Sequence, residues 1–388
     1  MESDEAMLKP GSALVVLDCE LPCGWTFAGT VLRALPEASA VAKGTRVFVV
    51  ADSEELPAAL CSPCPVPFEF VPLDQVQHRL PCIVPGLGAV MYPCAFPDDV
   101  ALFRDLTRSH TFYALTESIK PMGTSLRQGV YITPVDSDGR YRLLRCSTNM
   151  SGPTEDFAAV DDRIAATVND LVRVNFEGAA PVNHVLAQVY TNSATTPQKQ
   201  RKARISAHSD KTKDMPPNAV LAFVSLYSGP VTDTEQCSSL LWRAKTDAKT
   251  TVRVVLLPGS VLLVPLSTNR LWTHETRPSM LPVDRLPVRL GYVLRASSTW
   301  ARFDDALHTT VLLDTVPAAL PLPLHPPTSE DIEGLRELYR LENSGTSRVQ
   351  YPHPVRFSLN QGDYLPPRCR PRTESSPACG AGSSTAPL

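Results

Sequence analysis

The hydrophobic pattern of the chain changes near residue 183. Between residues 183 and 298 short apolar runs recur, and turn residues such as those at 258–260 separate them. Many short strands with turn residues between them are typical of a sandwich or barrel, and we expect a jelly roll here. The predicted strands are Val185–Tyr190, Val220–Tyr227, Ser238–Trp242, Val252–Leu257, Val261–Leu266 and Val288–Ala296.

Upstream of this region, strand-like runs and helical patterns are mixed. The continuously apolar segments at 12–18 and 46–51 predict buried strands, with a short helix at 32–41 between them. A hairpin is predicted for 129–133 and 141–146, because an Asp-Gly turn separates the two runs. Apolar residues at helical spacing predict three further helices, at 97–108, 161–175 and 330–343.

These patterns divide the chain into four parts. Residues 1–110 are predicted to be an N-terminal α/β region, and residues 111–316 to be a jelly-roll domain with its core at 183–298. Residues 317–365 are a Pro-rich connector and a C-terminal helix, and residues 366–388 are predicted to be a disordered tail. The expected fold class is α+β, with a jelly-roll core, flanking helices and an N-terminal α/β extension.

Composition narrows the class of protein. The 388 residues include 37 Lys+Arg and 40 Asp+Glu, and 43% are hydrophobic, which indicates a globular chain with a sizeable core. No apolar run approaches the roughly 18 residues of a membrane-spanning helix. The acidic N-terminus lacks the basic start of a secretory signal. We therefore expect an intracellular protein of the cytoplasm or nucleus, with reduced cysteines.

One group of polar residues stands out against this pattern. His208 and Asp210 form a His-x-Asp triplet, and His274 follows a later strand and a short loop. Residues i and i+2 of an extended chain point to the same side, so His208 and Asp210 can face one metal. Two imidazoles and a carboxylate on a common face are the ligands of non-haem Fe(II) oxygenases. The alternative is that His208 and Asp210 are loop residues and His274 is an ordinary hydrogen-bonded histidine.

An oxo-acid bound at such a metal needs a cation for its far carboxylate, and arginine suits that role. Our candidate is Arg289, fifteen residues after His274. Arg295 lies on the same strand face, but at roughly 3.3 Å per residue it is about 20 Å from Arg289. The two arginines therefore do not grip one carboxylate, and Arg295 either meets the substrate or is a surface charge.

The order of these motifs resembles that of the Fe(II)/2-oxoglutarate-dependent dioxygenase superfamily. It looks most like the AlkB-like branch, in which a strand ending in Tyr precedes the His-x-Asp triplet and an R-x5-R pair follows the distal histidine. The matching strand here ends at Tyr190, and the arginine pair is Arg289 and Arg295. Gly291 stands where that branch has an Asn, and a basic insert separates Tyr190 from His208. The sequence around His274 also resembles an uncharacterised group of such oxygenases.

The resemblance implies a double-stranded β-helix with iron at its open end. It implies Fe(2+), 2-oxoglutarate and O2 as cofactors, with ascorbate as an optional reductant. The reaction would convert 2-oxoglutarate to succinate and CO2 while hydroxylating a substrate C–H bond, and a hydroxylated N-methyl group would lose formaldehyde. The residues that it implies are His208, Asp210 and His274 for the metal, and Arg289, Tyr190, Gln188 and Arg295 for the cosubstrate.

Two segments beside the candidate site each allow two interpretations. Lys211–Pro217 is either a substrate-facing loop or a solvated connector. The basic run Lys199–Arg204 either contacts phosphates or is ordinary solvated surface. Asn269 and Arg277 flank His274 and are candidates to orient it.

Three functions stay open on sequence alone. The first is an iron- and 2-oxoglutarate-dependent dioxygenase acting on a methylated base or other modified nucleic acid. The second is the same chemistry on a protein side chain or small metabolite. The third is a non-catalytic jelly-roll binding module with an incidental His/Asp cluster. The net charge of −3 does not favour a nucleic-acid partner, and no membrane or obligate protein partner is expected.

Overall fold

The computed structural model describes parts of the N-terminal region and most of the chain from residue 80 onward. The described residues are 7–8, 12–17, 27, 30–32, 46–51, 69–72, 76, 80–117, 120–313, 320–352 and 354–370. The predicted helix at 32–41, apart from Leu32, and the predicted tail beyond residue 370 lie outside them. Within these described ranges, no helix has the length and apolar character needed to cross a bilayer.

Strands outnumber helices along the described chain. The strands up to residue 177 are β1 (Met7–Leu8), β2 (Ser12–Leu17), β3 (Thr30–Leu32), β4 (Arg46–Ala51), β5 (Glu69–Pro72), β6 (Cys82–Val84), β7 (Ala89–Tyr92), β8 (Tyr113–Glu117), β9 (Lys120–Ile132), β10 (Arg140–Arg142), β11 (Asn149–Met150) and β12 (Phe176–Glu177). The later strands are β13 (His184–Tyr190), β14 (Ser193–Thr196), β15 (Lys199–Arg201), β16 (Ile205–His208), β17 (Val220–Tyr227), β18 (Ser239–Ala244), β19 (Thr251–Val255), β20 (Ser260–Pro265), β21 (Trp272–Arg277), β22 (Arg289–Arg295), β23 (Trp300–Asp304), β24 (Thr309–Leu313) and β25 (Leu322–Pro323). The α-helices are α1 (Asp99–Ser109), α2 (Ala159–Asn175), α3 (Leu266–Leu271) and α4 (Ser329–Ser344).

The N-terminal strands form a small parallel sheet in the order β3-β2-β4-β5. The predicted strands at 12–18 and 46–51 are confirmed as β2 and β4. Leu14, Phe48 and Val50 are buried in one apolar cluster of this sheet. Parallel strands are usually covered on both faces, which explains why both segments are continuous apolar runs.

Two antiparallel sheets face each other and form the main body. The larger sheet contains the strand order β13-β22-β17-β20, and the smaller one has the order β16-β21-β18-β19. Between β13 and β22 the chain crosses repeatedly from one sheet to the other. Phe223 of the larger sheet packs edge-on against Trp242 of the smaller sheet, which closes the interior. The fold is α+β, with a double-stranded β-helix, or jelly roll, at its core.

Helices α1 and α2 cover the outer face of the larger sheet. Leu102 of α1 and Ile164 and Val168 of α2 are fully buried in one cluster with Val224 of β17. The opposite face of β17 lines the barrel interior, so this strand is buried along its whole length. Each buried side chain of this kind contributes roughly 1.5–3 kcal/mol through the hydrophobic effect.

The predicted strands of the 183–298 region and the predicted helices at 97–108, 161–175 and 330–343 are confirmed. The prediction of a loop between the strand at 261–266 and His274 is wrong. Residues 266–271 form α3 and His274 lies inside β21. Strands β16 and β21 were not predicted, because both are short and rich in polar residues and so lack an apolar run.

The predicted hairpin between 129–133 and 141–146 is also wrong. β9 pairs with β8 and β13 in the larger sheet, whereas β10 pairs with β23 in a different sheet. The turn itself is present, with Gly139 at φ 72° and Asp136 accepting from the backbone N–H of Arg140. A turn of this type reverses the chain locally, but here the neighbouring strands decide the pairing, and the turn closes a single bridge between Val135 and Tyr141.

The C-terminal part packs against the rest of the chain. β25 lies in the segment predicted as a connector and pairs with β24. Residues at the start of the predicted tail are held as well. The backbone N–H of Arg368 donates to the Thr154 carbonyl at 2.9 Å, and its guanidinium lies 3.3 Å from the Glu155 carboxylate.

Candidate metal centre

The structure brings His208, Asp210 and His274 together. β16 and β21 are neighbours in the smaller sheet, and their register places His208 directly opposite His274. The chain leaves β16 after His208, so Asp210 swings in beside both rings. Its Oδ1 lies 3.5 Å from His208 Nε2 and 3.9 Å from His274 Nε2. Ligand atoms from all three residues lie within 4.8 Å of one another, so the group could hold one metal ion.

Both imidazoles present a nitrogen in the form that binds metals. The Nδ1 of His208 lies 2.9 Å from the Ser206 carbonyl, and donation there leaves the Nε2 lone pair facing Asp210. Burial, with His208 nearby, lowers the pKa of His274 to about 3, so this ring is neutral at physiological pH. Two imidazole nitrogens and one carboxylate are the donor set of a facial Fe(II) site.

Arg295 keeps the Asp210 carboxylate ionised. Its Nε lies 3.0 Å from Asp210 Oδ2, the oxygen that does not face the histidines. Burial alone would raise the pKa of Asp210, but the charge of Arg295 holds it well below its usual range. Arg295 is only 5% exposed, which excludes the expectation that it is a surface charge. Arg295 therefore contacts the candidate metal ligand Asp210, and Arg289 lies at the opposite end of β22.

Sequence analysis did not identify three further residues near Arg295, which are Cys146, Tyr131 and His184. Cys146 Sγ lies 3.9 Å from Arg295 Nη1 and 2.7 Å from the Tyr131 hydroxyl. His184 stands opposite Arg295 in the sheet, and its ring lies 5.5 Å from that of Tyr131. Burial, with the charge of Arg295, lowers the pKa of His184 to about 3. The carboxylate that pairs directly with Arg295 is that of Asp210.

An aromatic wall supports the distal histidine. The His274 ring centroid lies 4.7 Å from that of Trp242 and 5.4 Å from that of Phe223. Trp242 is fully buried, and its indole N–H has no hydrogen-bond partner. Sequence analysis missed Trp242, because a Trp inside an apolar strand looks like ordinary core.

Arg289 lies buried in the barrel without a carboxylate partner among the described residues. It is 5% exposed, and its Nη2 donates to Ser225 Oγ at 3.2 Å. Its Nε and Nη1 have no hydrogen-bond partner, and its guanidinium lies 4.7 Å from the centre of the Tyr190 ring. Leaving a buried cation unpaired is costly, so this arrangement suits an anion that binds to Arg289 in the barrel interior.

Gly291 provides the space that this guanidinium occupies. A Cβ at Gly291 would lie 3.1 Å from Arg289 Nη2 and 3.2 Å from Tyr190 Cε2. Gly291 stands opposite both Gln188 and Ser225 in the sheet. The Tyr190 hydroxyl donates to Gln188 Oε1 at 3.2 Å, so the two predicted cosubstrate residues contact each other beside the glycine. The departure from the AlkB-like pattern at this position therefore opens room in the barrel.

The loop that carries Asp210 is held by Asn269. Asn269 of α3 accepts from the Asp210 backbone N–H at 2.8 Å and donates to the Asp210 carbonyl at 2.9 Å, and so contacts the aspartate rather than His274. Arg277, the other expected orienting residue, pairs with Glu275 at the surface. Lys211 is buried, so the segment Lys211–Pro217 does not begin as the solvated connector that was one interpretation.

No family model and no curated protein matches the chain. Solved structures that are similar to it at low identity include the following three. OsALKBH1 is 15% identical over 54% of this chain and 96% of its own, with a TM-score of 0.36. A prolyl-4-hydroxylase from Pseudomonas putida is 14% identical over 58% of this chain and 97% of its own, with a TM-score of 0.33. SnoN, a non-haem α-ketoglutarate-dependent epimerase from nogalamycin biosynthesis, is 14% identical over 66% of this chain and 94% of its own, with a TM-score of 0.34. Likenesses of this size assign no function to the chain.

Proposed function

We propose that this chain is an Fe(II)- and 2-oxoglutarate-dependent dioxygenase. The observation that carries the proposal is the convergence of His208, Asp210 and His274 inside a jelly roll. The buried Arg289, with donors that have no partner, supports a dicarboxylate cosubstrate in the same interior. When bound, iron and 2-oxoglutarate would supply an oxidation in which O2 converts 2-oxoglutarate to succinate and CO2 and hydroxylates a substrate C–H bond.

Each residue has a defined task in this proposal. His208 Nε2, His274 Nε2 and the Asp210 carboxylate would hold the metal, and Arg295 keeps that carboxylate ionised. Arg289 would bind the far carboxylate of 2-oxoglutarate with its free Nε and Nη1. A bidentate guanidinium orients a carboxylate as well as attracting it, and therefore fixes the direction of the cosubstrate.

Succinate formation tests the proposed reaction. Purified protein with Fe(II) and O2 should convert 2-oxoglutarate to succinate, slowly without substrate and faster with it. His208→Ala should abolish this activity because it removes a metal ligand. The exposed His325 offers a matched control, and His325→Ala should keep full activity. A wild-type protein that binds no metal and forms no succinate would instead be a binding module of the same fold.

The charge beside the site favours a nucleic acid as the substrate class. Hairpin β14–β15 leads directly into β16 and His208, and Lys199, Arg201 and Arg204 are exposed on it or just after it. No acidic residue occurs between Glu177 and Asp210. A run of positive charge that no acidic residue interrupts in the sequence attracts phosphates even in a chain of net negative charge.

Anisotropy titrations with a single-stranded oligonucleotide test this substrate class. Replacing Lys199, Arg201 and Arg204 together by Ala should weaken binding and reduce its salt dependence. A control triple variant at exposed Arg104, Arg163 and Arg173 should bind as wild type. Equal binding by both triple variants, or no oligonucleotide binding by wild type, would favour a protein or small-metabolite substrate.

A further inference from the structure

Helix α4 lies outside the barrel strands but contacts the loop at 209–212, which follows β16 and carries Asp210. The Oδ1 of Asn343, in the last turn of α4, accepts from the Ser209 backbone N–H at 2.9 Å. The same oxygen accepts from Lys211 Nζ at 2.7 Å. One side chain of the C-terminal helix therefore binds both neighbours of Asp210.

Lys211 ties the loop to the helix backbone. Its ammonium is buried and donates to the Ser209 carbonyl at 2.9 Å and to the Tyr339 carbonyl at 3.3 Å. Lys245 binds at the end of α4, where the last carbonyls of a helix have no partner within the helix and attract cations. Its Nζ donates to the carbonyls of Glu342 and Gly345 at 2.5 and 3.1 Å.

Glu342 extends the contact by one residue along the loop. Its Oε1 accepts from the Thr212 backbone N–H at 3.1 Å and from the Thr212 hydroxyl. Asn269 holds the Asp210 backbone from the barrel side, so the loop is gripped between the barrel and α4. Together these bonds fix the backbone from Ser209 to Thr212.

A cavity beside the loop increases the importance of the hydrogen bonds from α4 for the position of the loop. A space of about 370 Å³ lies between the loop, α3 and the segment that follows α4, and Ser209, Asp210, Thr212 and Glu342 are among its walls. The loop is therefore not supported by close packing on that side. Directional hydrogen bonds from α4 take the place of packed side chains.

We propose that α4 is part of the metal centre and that Asn343 is a positioning residue for Asp210. This inference rests on the proposed metal site. Asn343 fixes the backbone on both sides of Asp210, and the fixed backbone aims the carboxylate at the point between His208 and His274. The residues that complete the site thus come from a segment well outside the strands that carry the metal ligands.

Binding of Co²⁺ to the full-length apoprotein, followed by calorimetry and visible absorption, tests the role of Asn343. Asn343→Leu keeps the size but removes the acceptor, and should weaken Co²⁺ binding by about 10- to 100-fold, as loss of an orienting partner commonly does. Asn343→Asp keeps both acceptor contacts and should restore the affinity towards wild type. The adjacent Ser344→Ala removes only a bond to the Arg340 carbonyl and should bind as wild type.

The outcomes separate this inference from the proposed function. Wild-type affinity in Asn343→Leu, or equal loss in Asn343→Leu and Asn343→Asp, overturns the role of Asn343. Wild-type protein that binds no Co²⁺ overturns the metal site itself. If circular dichroism finds Asn343→Leu unfolded, Lys211→Met gives the same test, because it removes the ammonium between loop and helix. Wild-type Co²⁺ affinity in folded Lys211→Met overturns the inference.

Discussion

Arg295 and Asp210 form a buried ion pair directly behind the candidate metal centre, with 3.0 Å between Nε and Oδ2. The two oxygens of the Asp210 carboxylate have different partners. One oxygen faces the two histidines and the other faces the guanidinium. The arginine thereby orients the ligand and balances its charge before any metal binds.

Removing Arg295 should destabilise the apoprotein. Arg295→Met leaves the Asp210 carboxylate buried and unpaired, and breaking a buried pair in this way costs about 3–5 kcal/mol. Added Co²⁺ should recover part of the loss, because the metal supplies the missing positive charge. Urea unfolding with and without Co²⁺ measures both effects. Arg340→Met, which removes an exposed ion pair with Glu337, is the control and should change stability little. An Arg295→Met protein as stable as wild type would contradict the role of the pair.

Filling the space at Gly291 should weaken 2-oxoglutarate binding. Gly291→Ala introduces a Cβ 3.1 Å from Arg289 Nη2 and forces the guanidinium to move. We expect a loss of about tenfold in 2-oxoglutarate affinity, equivalent to about 1.4 kcal/mol, with metal affinity unchanged. Anaerobic calorimetry with metal first and cosubstrate second measures the two separately. An unchanged affinity for 2-oxoglutarate would show that the cosubstrate does not depend on this geometry.

The free energy of unfolding should depend on pH because of a buried hydrogen-bond network around His110. His110 lies between Glu155 and Asp161, with nitrogen–oxygen distances of 2.9 and 2.8 Å. Burial lowers the pKa of His110, but the bonds to Asp161 and Glu155 outweigh it and leave the pKa raised. A raised histidine pKa stabilises the fold fully below the unfolded value of about 6.5, and this contribution is lost as pH rises through the folded-state pKa.

The unfolding temperature should therefore fall as pH rises from about 6.5. His110→Gln should lower stability in mild acid and remove most of this slope. His325→Gln replaces an exposed histidine and should keep it. Thermal unfolding at a series of pH values measures both variants. An identical slope in wild type and His110→Gln would exclude this network as its source.

Local patterns were enough to predict most of the barrel and its candidate ligands. The apolar runs gave six barrel strands, and the His-x-Asp triplet with the later histidine gave the three candidate ligands, although Asp210 lies after β16 rather than within it. The polar strands β16 and β21 carry no such signal. The different surroundings of Arg289 and Arg295 could be seen only in the structure. Strand parity shows that the two residues share a face, but it does not show which of them lies beside Asp210.

Contacts between distant segments were outside the reach of the sequence. Nothing near Asn343 indicates that its side chain meets Ser209, because that bond depends on where α4 docks. The predicted hairpin around Gly139 failed for a related reason. The turn is a local property, whereas the strand partner is chosen by the whole sheet. A solvated connector was one of the two interpretations of Lys211–Pro217, because a run of lysines and prolines is usually exposed, whereas Lys211 is buried.

Sequential anaerobic calorimetry with Fe(II) and then 2-oxoglutarate tests the central claim most directly. Wild type should bind one Fe(II) and then one 2-oxoglutarate. Asp210→Ala should lose Fe(II) affinity, and with it 2-oxoglutarate affinity. Arg289→Gln should keep Fe(II) affinity and lose 2-oxoglutarate affinity. Fe(II) binding that is as tight in Asp210→Ala as in wild type, or loss of both ligands in Arg289→Gln, would contradict the assigned site.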